Sequence, residues 1–150
     1  TEPIIEETEE VEISEPTEEF NIKNLPEYAK NLTILALIIY QEAGGNACSD
    51  ETRLMVGNVF LNRVADPQFP NTFEEVATQY KQYGTLYKTG LKWPDRASKP
   101  EEQEAVQRAY RLAQELLDGR RVLPAEVIWQ AEFKQGKAVY AFKDGIYFCK

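Results

Sequence analysis

The sequence predicts an α+β fold: a mainly helical body with a small antiparallel β-sheet at the C-terminal end. Three observations lead there. Apolar residues recur at helical spacing through the first two thirds of the chain. The last third shifts to short runs rich in β-branched and aromatic residues. Asp144-Gly145 between two of those runs is a strong hairpin signal. Helices first and strands last describe an α+β arrangement.

Asn24 with Pro26 suggests a short helix start, because proline is tolerated in a first turn. Thr33 then reads as the N-cap of a helix running to about Ala43, with Leu35, Ile38 and Ile39 on one face. Gly44-Gly45 stop it. Ser49 caps a second helix, Asp50 to Ala65, whose Asp50 and Glu51 suit the positive end of the dipole. Asp66-Pro67 ends it, and a short helix is expected from Phe73 to about Gln79. Tyr80 to Pro94 is the least regular stretch, and a loop this long in a small domain is more often functional than accidental. Ser98-Lys99-Pro100-Glu101 has the form of a capping box for a helix to about Leu117, closed by Gly119. Its inward residues are expected to be Ala105, Val106, Ala109, Leu112, Ala113 and Leu116. Strands are expected at Val127 to Trp129, Val139 to Phe142 and Ile146 to Phe148.

The chain has 150 residues and a net charge of -8. Nine of its 25 acidic residues fall in the first 20, which hold no Lys or Arg, leaving 16 acids against 17 bases. Residues 1–22 are therefore expected to be an acidic solvated tail or linker, and residues 23–150 one globular domain. No basic stripe marks the globular part, so nucleic acid is not an expected partner. No stretch reaches the roughly 18 apolar residues of a membrane span. The chain begins at Thr1, as expected of a processed or cut product with any signal or anchor upstream. There is no histidine. That excludes Ser-His-Asp and Cys-His catalysis and removes the commonest zinc ligand, so neither metal nor cofactor is expected. Without a histidine, Cys48 has nothing to activate its thiol. Cys48 and Cys149 are either two separate thiols or, in an exported chain, a long-range pair.

Glu42 is the residue that invites chemistry. It follows Ile38 by four positions and Leu35 by seven, so it shares their helix face. It also stands in the last turn, where the dipole disfavours a carboxylate. Apolar neighbours disfavour it further by desolvation. Both effects raise proton affinity, as a general acid near neutral pH requires. The residues alone leave two readings open: a glutamate reaching water beside the glycines, or a protonated acid at a cleft wall.

Three further pieces stand in order. "LALIIYQEAGG" is followed by a helix ending "VGNVFLNRV" and then by "FPNTFEEV". Together with the later "VIWQAEF" and "IYFC", they resemble the catalytic domain of the spore cortex-lytic, SleB-type cell-wall hydrolases over about residues 30–149. The resemblance implies a lysozyme-like fold acting on peptidoglycan glycan strands, as a monomer outside the cytoplasm or as a phage lysin. It implies a lytic transglycosylase that cuts between N-acetylmuramic acid and N-acetylglucosamine, with Glu42 as catalytic acid and then base. Gln82-Tyr83 is the nearest match to the family's Gln-Phe pair, suited to sugar hydroxyls and ring faces. Trp129 and Gln130 lie on the family's late strand; alternation lets only one face the cleft, and Gln130 is the expected contact. Asn46 stands where many relatives carry a second glutamate, leaving Asp50, Glu51 or Glu132 as other carboxylates. Asp50 and Glu51 are better explained as helix N-terminal residues, and Asn58, Asn62 and Arg63 as structural. The alternatives are a hydrolytic muramidase or glucosaminidase, and a wall-binding module without activity.

Overall fold

The structure is a computed structural model that describes residues 20–150. The expected acidic tail falls outside these residues except at its end, where Ile22 is 2% exposed and belongs to the core. Among the described residues five α-helices precede the sheet: α1 (Glu27–Ala43), α2 (Asp50–Ala65), α3 (Phe73–Ala77), α4 (Leu86–Thr89) and α5 (Gln103–Leu117). The strands β1 (Trp129–Ala131), β2 (Val139–Lys143) and β3 (Ile146–Cys149) form one antiparallel sheet in the order β1-β3-β2.

Helix α1 is the axis of the body. Every residue from Thr33 to Tyr40 is buried, and α2, α3 and α5 all pack on it. A helix apolar on all sides belongs in the interior. Gly57 of α2 marks the closest approach of the three long helices. A Cβ there would lie 2.4 Å from the Leu116 side chain and 3.0 Å from that of Ile39.

The helix expected to begin at Thr33 begins at Glu27. No Gly or Pro interrupts Glu27 to Thr33, so nothing stops the helix short of Pro26, its N-cap. The capping box at Ser98 does not form. The Ser98 hydroxyl donates to the Asp95 carbonyl at 2.9 Å, and two short 3-10 turns, Asp95–Ser98 and Pro100–Glu102, come before α5. Pro100 forces Lys99 into extended backbone, with ψ 146°, which breaks the path into the helix. α3 ends at Ala77, before the expected Gln79. The first strand starts at Trp129 because side chains of α2 hold the preceding carbonyls: Asn62 Nδ2 donates to Val127 and Arg63 Nε to Ile128.

Two polar devices fasten the sheet to α2. Asn58 Oδ1 accepts the Val122 and Leu123 amides, while its Nδ2 donates to Asn62, which in turn holds the Pro124 and Val127 carbonyls. At the far end, Asp144 (φ 50°) and Gly145 (φ 84°) make the hairpin turn that both positive φ values demand. Asp144 Oδ2 accepts from the Ser49 amide, the Ser49 hydroxyl and the Thr52 hydroxyl at the N-terminus of α2. Those bonds hold its carboxyl below the usual range. Cys48 is half-buried, Cys149 is buried, and both are free thiols.

Candidate active site at the end of α1

Helix α1 ends in a turn whose exposed carbonyls are taken by two arginines. Arg53, 4% exposed, donates from Nε to the Ala43 carbonyl at 2.7 Å and from Nη2 to Gly45 at 2.6 Å. Arg108 Nη2 donates to the Gly44 carbonyl at 2.9 Å. Helix ends leave such carbonyls without partners, and cations there also balance the dipole. Both helices that flank α1, α2 and α5, thus fix the turn that carries Glu42.

Glu42 is half-buried. Burial pushes its pKa above the ordinary carboxylate value. A hydrogen bond from Gln41 Nε2 at 3.1 Å and the Arg63 charge pull the other way without reversing the shift.

Arg63 is 2% exposed and ties the surroundings together. Besides the Ile128 carbonyl at 2.7 Å, it reaches Gln82 Oε1 from Nη1 at 3.2 Å. Its guanidinium lies 5.1 Å from the Phe69 ring centroid, 5.2 Å from that of Tyr83 and 5.4 Å from that of Trp129. The sequence reading took Arg63 as a structural helix-end residue, which it is. It also supplies the cation acting on Glu42, a role that sequence reading missed. The signal was available: an arginine among the apolar residues at the end of α2, with Phe60 and Phe69 close by in sequence.

Gln82 is exposed and bonded to Arg63. Tyr83 is 1% exposed, its ring packed by Phe60 and Arg63, so stacking on a sugar is closed to it. Its hydroxyl meets no hydrogen-bond geometry with a partner among the described residues. Burial pushes that hydroxyl's pKa up to about 12, with Arg63 opposing and Glu42 adding to the rise. Gln130 pairs with Phe148 across β1 and β3, which places it on the side of the sheet that meets the core. Its Oε1 is buried without a protein partner. Trp129 faces Arg63 and Phe69 instead. The structure therefore gathers Glu42, Gln82 and Tyr83 around Arg63, with Gln130 on the adjoining strand.

Other carboxylates have different partners. Asp50 is paired with Arg53 at 2.8 Å and Arg111 at 3.3 Å; these bonds outweigh its burial and hold its carboxyl below the usual range. Glu51 pairs with Lys143, and Glu132 is exposed. Among the described residues, the charged group that shifts Glu42 is Arg63. Among the described residues no cluster of three or more His, Cys, Asp or Glu could hold a metal, and no helix is long and apolar enough to cross a membrane.

No curated protein and no solved structure matches the chain. The family model described as Cell Wall Hydrolase matches residues 48–136. That span takes in α2 with Arg63, the loop carrying Gln82 and Tyr83, α5, and β1 with Gln130; Glu42 stands just before it. More than half of the chain is matched, and the chain belongs to the cell wall hydrolase family.

Proposed function

We propose that the protein is a lytic transglycosylase of peptidoglycan, with Glu42 as its general acid and base, acting outside the cytoplasm. The observation that carries this reading is a half-buried carboxyl with raised proton affinity, while Asp50 and Glu51 are held by basic partners and Glu132 is exposed. Hydrolytic glycosidases in most families use two carboxyl groups, one of them to activate water or attack the sugar. A transglycosylase needs one. Glu42 gives its proton to the glycosidic oxygen as the bond from the muramyl anomeric carbon breaks. The resulting carboxylate then takes the proton of the muramyl 6-hydroxyl as that oxygen bonds to the anomeric carbon. Glu42 ends protonated, no water is consumed, and the product carries a 1,6-anhydro ring.

The surroundings suit both halves of this cycle. Burial raises the affinity of Glu42 for the proton that the first step transfers. Arg63 stabilises the carboxylate that exists between the steps, and Gln41 holds one of its oxygens. Gln82 offers an amide to sugar hydroxyls, while Tyr83 supports Arg63 from behind. Mass analysis of the muropeptides released from purified wall tests the reading. Anhydro ends are expected. Reducing muramyl or glucosaminyl ends would instead make the protein a hydrolase.

A further inference from the structure

Residues 76–94 contain Lys81, Lys88 and Lys92 and no acidic residue. Elsewhere, Lys23, Lys143 and Lys150 each sit against a glutamate, while Lys30, Lys99, Lys134 and Lys137, scattered through the chain, do not among the described residues. Lys81, Lys88 and Lys92 have no carboxylate partner among the described residues. Two rest on tyrosine faces instead: Lys81 Nζ lies 5.3 Å from the Tyr80 ring centroid and Lys88 Nζ 5.7 Å from that of Tyr87. The two rings pack edge to face at 5.0 Å, and Tyr80 is 67% exposed. Lys81 holds a left-handed backbone with φ 59°, a conformation that side-chain-bearing residues rarely take and that clusters at functional sites.

This cationic loop adjoins Glu42. At Gly84 the backbone comes so close that a Cβ would lie 2.8 Å from Gln41 Nε2, the group that donates to Glu42. A cavity of about 280 Å³ opens beside it, lined by Gln41, Thr85, Thr89, Lys92 and Trp93 among others. Its wall is thus shared with the partner of Glu42.

We infer that the 80–92 loop recognises the carboxylates of the peptide stems on the glycan strand, so that stem-bearing peptidoglycan is the preferred substrate. The inference rests on the peptidoglycan reading above. The three lysines are spread over twelve positions, a wider spacing than one sugar carboxylate calls for. The ammonium groups of Lys81 and Lys88, held over ring faces, exchange a weak cation–π contact for a carboxylate without unfolding anything, and Lys92 lines the adjoining cavity. The exposed Tyr80 ring offers an apolar platform to the stem's methyl groups.

The test is binding by the full chain carrying Glu42→Gln, which does not cleave. Titrations use three probes: soluble glycan strands with intact stems, strands stripped of stems by an amidase, and strands whose carboxyls are blocked as neutral amides. Exposed ion pairs each strengthen binding only a few-fold, so three give roughly a tenfold preference for intact stems over the other two probes. The preference shrinks in high salt. It disappears when Lys81→Asn, Lys88→Gln and Lys92→Gln are added; asparagine is chosen because it tolerates the left-handed backbone. Equal binding to intact and stripped strands overturns the inference, as does a preference that survives the three changes. Should the triple variant not fold, a preference that persists in high salt overturns it equally. Because binding is read apart from cleavage, a wild-type chain that leaves no anhydro ends sinks the transglycosylase reading and leaves this result intact.

Discussion

Replacing Glu42 by glutamine tests the physical core of the site, because stability and activity should move in opposite directions. The folded state raises the proton affinity of Glu42, so it keeps its proton at pH values where the unfolded chain, ordinary at about 4.3, has lost it. That contribution to stability is complete below the unfolded value and is lost as pH rises through the folded one. Near pH 4 a neutral Glu42 and a glutamine of the same shape are equivalent, and the two chains should unfold at the same urea concentration. Above that, the wild type should fall behind by at most about 1.4 kcal/mol per pH unit, until the folded group has titrated. Gln41 at 3.1 Å and Arg63 relieve part of the burial penalty, so the gap should be smaller than burial alone would make it and should level off once the folded group has titrated. Activity should fall by about 100- to 10,000-fold, the usual contribution of a general acid. Urea titrations of both chains from pH 4 to 8, with clearing of purified wall alongside, provide the measurement. A stability difference independent of pH refutes the buried-acid argument. Wild-type clearing by the variant refutes the catalytic role.

Two other perturbations separate electrostatics from architecture. Arg63→Gln keeps a donor for the Ile128 carbonyl but removes the cation that lowers the Glu42 pKa, so the alkaline limb of kcat/KM should move to higher pH; an unmoved limb means Arg63 does not act on Glu42. Asn58→Leu fills the space but strands the Val122 and Leu123 amides and the Asn62 oxygen. At about 1–3 kcal/mol for each buried group left unpaired, denaturation should register a loss of several kcal/mol, and a loss below about 1 kcal/mol contradicts the bonding described.

The helices were legible because their signals are local. Ser49, the first-turn acids and the Asp66-Pro67 stop placed α2 from Asp50 to Ala65 without any knowledge of its neighbours. The Asp144-Gly145 turn was equally legible from two residues. What the sequence did not disclose is what those residues do at a distance. Asp144 also caps α2 across 95 positions, and Asn58 clamps a loop 64 positions away. Such contacts leave no periodicity to read. The same holds at the site. The loop Tyr80 to Pro94 stood out as irregular, but only the fold shows Gly84 against Gln41, and Tyr83 turned inward against Phe60 and Arg63.

The origin of Glu42's proton affinity also shifts between sequence and structure. From sequence, two causes reinforce each other: the negative end of the helix dipole and an apolar setting. In the fold, the carbonyls of Ala43, Gly44 and Gly45 each accept from a guanidinium group, so that end of α1 meets positive charge from Arg53 and Arg108. The dipole is therefore blunted where it would matter, and burial remains as the cause that raises the pKa. The acid is then set by what covers it rather than by where its helix ends. Its nearest cover is Gln41, held in place by the close approach of Gly84. A side chain at position 84 would push the Gln41 side chain away from the carboxyl and alter the acid with the sequence of α1 unchanged. In this fold, the loop from Tyr80 to Pro94 thus bears on the proton affinity of Glu42 through Gln41.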